Sequence, residues 1–323
     1  MRLGFTPAAL IPILLTACAS TGDGGEVRTG WARYAEEAPP PPGPLQGALS
    51  VPTPSVRPYP EREFTAEEKA FFDSAWSAFK VDAPEWPDLK ERWRAVGPEA
   101  EGLLAWNLYR GMVAARAGGA LRLSERARKE LVLMGEAAVP ALVAGLSVRA
   151  VRREDGEEIR VGQEVLHEAA GALSVIGAAS VPGLMDIAGS GEKVVAREAV
   201  GALGNIGDPR SEALLLRLAD DPDAETRAAA VLALRRFGDG AARGRLVAAL
   251  EDPDSFVAQR AAQALVTEKR TDAVPDLVVV LERGVREGRI FSVRASSWAL
   301  QRLTGQNLGS DAAAWRRWAE KNP

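Results

Sequence analysis

From Gly177 to Lys269 the chain repeats itself with a fixed step. Pro182, Ala213, Gly244 and Pro275 hold the same place in successive copies, 31 residues apart. The pairs Ala202-Leu203, Ala233-Leu234 and Ala264-Leu265 keep that step, and no strand pattern interrupts it. A constant period of this size, made of two apolar-periodic stretches and a turn, specifies stacked helix pairs.

Each copy begins with a short helical stretch, in which Leu214, Leu215 and Leu218 share a face. A longer, alanine-rich stretch follows, with Ala230, Val231, Leu234 and Phe237 as its stripe. Small residues there let neighbouring helices approach closely. Asp220-Asp221-Pro222-Asp223 and Glu251-Asp252-Pro253-Asp254 separate the two stretches and suit a helix start, with proline expected in the first turn. Gly177, Gly207 and Gly238 are placed to close the second helices, and Val-Pro at 139–140, 181–182 and 274–275 to open the first. One such pair cannot bury its apolar face alone. A stack can, and it behaves as a nearly one-dimensional solenoid.

The Asp-Pro-Asp turn, an arginine early in the second helix and the Ala-Leu-x-x-x-Gly ending together resemble the HEAT-repeat superfamily. More narrowly, they resemble the bacterial PBS-lyase HEAT-like repeats. The resemblance runs from about Arg126 to Thr304. It implies an all-α fold, a right-handed α-solenoid of HEAT-like helix pairs with helical caps at both ends. Arg197, Arg227, Arg260 and Arg294 are the arginines of that pattern. They are expected to bond turn carboxylates or carbonyls of adjacent repeats, and they are candidate partner contacts. HEAT-like repeats serve many unrelated tasks, so the fold does not name a function.

The chain has 40 basic and 44 acidic residues, a net charge of −4 that gives no field to attract nucleic acid. One histidine and one cysteine exclude a His/Cys metal cage and an intrachain disulfide. Cys18 ends Leu15-Thr16-Ala17-Cys18 after an apolar run from Leu3 to Leu15 that Pro7 and Pro12 break. This resembles the bacterial lipobox. It implies a signal peptide over 1–17, a covalent lipid on Cys18, no other cofactor, and a membrane-anchored place in a bacterial envelope. Ala19, where an aspartate would signal inner-membrane retention, favours the outer membrane if the host has one.

Residues 18–63 carry Pro39 to Pro42, Pro44, Pro52, Pro54, Pro58 and Pro60, and few large apolar side chains. This composition reads as a disordered tether. Order is expected from Phe64, with Thr65 and Glu68 forming a capping box. Residues 64–122 lack the 31-residue pattern and read as an N-terminal helical cap, 123–304 as the repeats, and 305–323 as a C-terminal capping helix with Ser310 as its N-cap. Trp76, Trp86, Trp93 and Trp106 lie in the first cap, while Trp298, Trp315 and Trp318 lie near the C-terminal end. They read as rings closing the ends of the stack. Trp315 and Trp318 are also candidates for an aromatic binding surface.

Two steps of the repeat are stretched. From Pro140 to Pro182 the step is 42, which places an insert within Arg149–Val161. Its charges, beginning with Arg152 and Arg153, read as a solvated loop or a partner-contacting finger. From Ala264 to Ala299 the step is 35, which reads as a longer turn over Arg283–Arg289. His167 takes the place of the repeat arginine, has no serine, cysteine or second histidine near it in sequence, and reads as structural. No phosphate-binding loop, dinucleotide fingerprint or nucleophile elbow occurs.

The expected function is therefore a lipid-anchored interaction scaffold for an unknown protein partner, not an enzyme. Two alternatives are noncatalytic binding of cell wall or glycan through the Trp-rich ends, and a lyase-like enzyme or enzyme subunit of the kind known among relatives of these repeats.

Overall fold

The computed structural model describes residues 63–152, 158–190, 192–237 and 240–322, with only the backbone of Arg152. Residues 1–62, which include the expected signal peptide, Cys18 and the proline-rich stretch, lie outside the described residues, as do Arg153 and Gly238.

The described chain begins with α1 (Ala66–Lys80), α2 (Trp86–Arg94) and α3 (Pro98–Ala117). Thr65 and Glu68 cap α1 reciprocally: the Glu68 amide donates to Thr65 Oγ1 at 3.2 Å and the Thr65 amide to Glu68 Oε2 at 2.9 Å. Trp93 is fully buried and donates from Nε1 to the Ala100 carbonyl at 2.6 Å. Phe64 and Phe72 pack on its ring at centroid distances of 5.5 and 5.0 Å. Val96 falls just beyond the end of α2.

Helix pairs follow one another from there. They are α4 (Leu121–Met134) with α5 (Val139–Ser147), α6 (Gln163–Ile176) with α7 (Val181–Ala188), and α8 (Lys193–Ile206) with α9 (Glu212–Leu218). Next come α10 (Ala224–Ala233) with α11 (Ala241–Ala249), α12 (Ser255–Thr267) with α13 (Val274–Glu287), and α14 (Ile290–Thr304) with α15 (Ala312–Lys321). Leu121–Ser147 is apolar and long enough to cross a membrane by composition, but it is half buried. It folds as α4, a 3-10 turn over Gly135–Ala138, and α5.

The helices form two layers. In the first, α3 packs on α5 and α5 on α7; α9, α11, α13 and α15 continue the row. In the second, α4, α6, α8, α10, α12 and α14 pack in unbroken succession. The core runs between the layers as one apolar cluster. This is an all-α solenoid.

Alanine and glycine set the spacing inside the second layer. A Cβ on Gly204 of α8 would sit 2.5 Å from the Cα of Ala233 in α10, so the two backbones can approach only because that side chain is absent. In the first layer, Gly145 lies under the ring of Tyr109, whose hydroxyl donates to the Gly145 carbonyl at 2.7 Å. Burial pushes the Tyr109 phenol above its ordinary pKa and keeps it a donor.

Several local details differ from the sequence expectation. The insert is not a plain loop: β1 (Ala150–Arg152) and β2 (Glu158–Arg160) form an antiparallel hairpin pairing Ala150 with Arg160, Val151 with Ile159 and Arg152 with Glu158. Val151 is buried, and the alternation of apolar and charged residues explains the strands. The stretched last repeat does not lengthen its turn. Instead α13 itself continues to Glu287 and closes on Gly288 at φ 67°, because Val280, Leu281 and Gly284 extend its buried stripe. Pro222 and Pro253 stand one residue before the caps Asp223 and Asp254 rather than within the first turn. The N-cap of α15 is Asp311, not Ser310: the Asp311 carboxylate accepts from the Ala314 amide at 2.9 Å.

Candidate functional site

The exposed face of the second layer is where the repeat places side chains in rows. Residues three or four apart on one helix share its outer stripe. On α6 these include His167 and Val175, on α8 Val194, Arg197, Gly201 and Asn205, and on α10 Glu225, Ala229 and Leu232. On α12 they are Phe256, Arg260, Gln263 and Thr267, and on α14 Phe291, Arg294, Trp298 and Arg302. One step of the repeat relates Gly201 to Leu232 and Leu232 to Gln263, and the longer last step relates Gln263 to Trp298.

From α6 to α10 the charges on this face are matched across repeats. His167 Nδ1 lies 3.0 Å from Glu198 Oε2, with the imidazole largely exposed. Lys193 donates to Asp223 at 2.8 Å. Arg197 approaches Glu225 at 2.5 Å and Asp223 at 3.8 Å. Asp223 also caps α10 by accepting from the Thr226 amide at 3.0 Å. Lys193 first, and then the Thr226 hydroxyl and amide, hold the Asp223 carboxyl down at about 2.

The four repeat arginines do not form a ladder. Arg197 and Arg260 reach the outer face. Arg227 turns away into the turn before α12, where Nε and Nη2 form a two-pronged contact to the Asp252 carboxylate, both at 3.0 Å. Its Nη1 donates to the Asp221 and Pro222 carbonyls at 2.9 and 3.0 Å. Both partners are well shielded, with 15% and 7% of their side-chain surfaces exposed, so this is a structural clamp. Arg294 is exposed on α14, with no ion pair among the described residues.

Between α8, α10 and α12 the face is hollowed into a groove of about 660 Å³. Arg197, Asn205, Glu225, Leu232, Phe256 and Arg260 are among its walls. Arg235, also on the groove, donates to Asn205 Oδ1 at 2.6 Å, and its burial lowers the guanidinium pKa from its ordinary value. Arg260 lies over the exposed ring of Phe256 at 4.7 Å and donates to Gln263 at 2.8 Å. The sequence reading missed Phe256 and Arg235. The 31-residue register held the signal, since it places Phe256 outward on the same row as Glu225.

The remaining candidates lie apart from the groove. Trp315 is completely buried, donates from Nε1 to the Gly309 carbonyl at 2.9 Å, and meets Trp318 edge-on at 6.1 Å. It is a core residue, and Trp318 is partly buried beside it. Arg152 belongs to the hairpin through its backbone, and Arg153 lies outside the described residues. Among the described residues no group of three His, Cys, Asp or Glu could hold a metal ion.

The helix pairs, alanine-rich second helices and cross-repeat contacts have a counterpart among known families. The family of HEAT repeats matches over residues 163–235, 181–266 and 211–301. Over that span the helix pairs are similar to HEAT repeats. The overlapping matches run from α6 into α14, the same span as the rows of the outer face. No curated protein matches the chain. HEAT repeats generally act as scaffolds for protein–protein interaction rather than as catalysts.

Proposed function

We propose that this protein is a lipid-anchored scaffold of a bacterial envelope, which holds a protein partner against the outer face of its HEAT repeats. The observation that carries the reading is the continuous second-layer face, with outward side chains in register on five successive helices and a groove at its middle. A surface of this kind suits an extended protein contact. In this reading the stack is right-handed. Residues 64–122 and 305–323 close its ends, with Trp93 and Trp315 filling the caps.

Leu15-Thr16-Ala17-Cys18 supports the anchor, and the prolines between 39 and 60 support a tether that lifts the repeats from the membrane. Thiol modification by lipid is the only covalent group the reading requires. The outer membrane is the favoured site where the host has two membranes.

The test is crosslinking in cells followed by affinity purification of wild type and Cys18→Ser. The expected result is one specific protein recovered from the anchored form, with radiolabelled fatty acid on wild type and none on Cys18→Ser. Recovery of abundant background proteins alone, or equal label on both forms, contradicts the reading.

A further inference from the structure

On the outer face of the second layer, the cross-repeat pairing of charges stops at α12. Neither Ser255–Thr267 nor Ile290–Thr304 contains an aspartate or glutamate. Their outward stripe is instead Phe256, Arg260, Phe291, Arg294, Trp298 and Arg302. Phe256, Phe291 and Trp298 are 41%, 48% and 41% exposed, unusually open for large apolar rings on one face. The carboxylates nearest in sequence and packing are already engaged. Glu225 meets Arg197, Glu268 meets Arg235 at 3.7 Å, Glu251 meets Arg283 at 2.9 Å, and Glu287 meets Arg289 at 2.8 Å.

Two cations of this stripe, without an ion pair among the described residues, are stacked on rings. Arg260 lies over Phe256 at 4.7 Å and Arg302 over Trp298 at 5.9 Å. A guanidinium covered on one face by an aromatic ring keeps its in-plane N–H groups free and loses less rotamer freedom when it binds. Those N–H groups match the geometry of a carboxylate. From Phe291 to Arg302 the stripe runs about 16 Å along α14, at roughly 1.5 Å per residue. The adjacent α12 widens it by about 10 Å. That area accommodates about five residues of extended peptide.

We propose that this C-terminal part of the outer face docks an acidic segment of the partner protein. Carboxylates of the segment meet Arg260, Arg294 and Arg302, and an apolar side chain between them covers Trp298 and Phe291. The inference rests on the scaffold reading and gives the partner its chemistry.

The test uses the full-length protein in detergent and a fluorescein-labelled eight-residue peptide of alternating glutamate and leucine. The glutamine-leucine peptide is the control, and the readout is anisotropy. The expected result is binding of the glutamate peptide at least tenfold tighter than the glutamine peptide, weakening steadily with added salt. Arg294→Glu with Arg302→Glu abolishes it while the circular dichroism melt stays unchanged. Equal binding of both peptides, or binding indifferent to the double reversal, overturns the proposal. So does wild-type self-association by light scattering, or binding to phosphatidylglycerol vesicles, that the reversal removes, because either would assign the patch to another occupant. The crosslinking experiment separates the two levels. A partner captured equally by wild type and the reversed variant sinks the acidic segment and leaves the scaffold, whereas no partner from wild type sinks the scaffold.

Discussion

From α6 to α10 the outer face of the second layer is tied together across repeats, and from α12 to α14 it is not. In the first part His167, Lys193 and Arg197 each meet a carboxylate about one repeat further on. In the second, Arg260 and Arg302 rest on rings, and Arg294 has no ion pair among the described residues. The second-layer helices pack in the same succession through both, and the stretch of the last repeat is taken up by α13 in the other layer. Only the residue types on the rows differ, so the difference is not required by stacking. Exposed ion pairs add little stability in any case. Under the proposed reading, the change from matched to unmatched charge marks a change of use along one continuous surface, from contacts between repeats to contacts available to a partner.

The sharpest contrast in stability is between Arg227 and Arg294. Arg227→Ala leaves the shielded Asp252 carboxylate without its guanidinium and should cost about 2–3 kcal/mol. Arg294→Ala should stay within about 0.5 kcal/mol, as an exposed unpaired side chain. Urea unfolding of the two variants checks this, and equal losses would break the comparison. A second contrast concerns spacing. Gly204→Ala forces α8 from α10 and should cost roughly 1–3 kcal/mol. Gly201→Ala, which meets nothing within 4 Å, should be neutral or stabilise by up to about 1 kcal/mol. Thermal melts of both decide whether close approach is confined to the inner side of the layer.

Smaller effects are expected from the exposed pairs. His167→Ala should change stability by no more than about 0.5 kcal/mol, and a loss several times larger would show that the matched half is held by its pairs after all. Asp223 has a subtler signature. Its carboxyl is depressed from 3.8 to about 2, so its contribution is present above pH 3.8 and is lost as the pH falls toward 2. The acid arm of the unfolding midpoint should be shallower over that window in Lys193→Ala than in wild type. Superimposable acid arms would remove Lys193 as the cause.

Much of the stack was legible in the sequence because a 31-residue step repeats both the apolar stripe and its punctuation. Val139, Val181 and Val274 do open helices, and Gly177 and Gly207 end them. The misreadings come where two signals compete. In the insert, the charges from Arg152 to Glu158 obscured the alternation of Val151, Ile159 and Val161, which is the signal for a hairpin. At Arg283–Arg289, polar residues suggested a turn, whereas the buried stripe through Leu281 and Gly284 carried the helix on. At the end of the chain, Asp311 out-competed Ser310 as a cap by one residue. The face was harder to read than the fold. Arginine position alone could not separate Arg227, folded back into its turn, from Arg260 on the groove. Phe256 and Phe291 became meaningful only once the rows showed that both point outward.

The most direct test of this division is site-specific photocrosslinking in cells, with a photoreactive residue at Gln263 or at Val175. Both positions are exposed on the same face, one on α12 and one on α6. The account predicts a discrete adduct with one partner from position 263 and little or none from position 175. Adducts of equal yield from both positions, or from 175 alone, would contradict it.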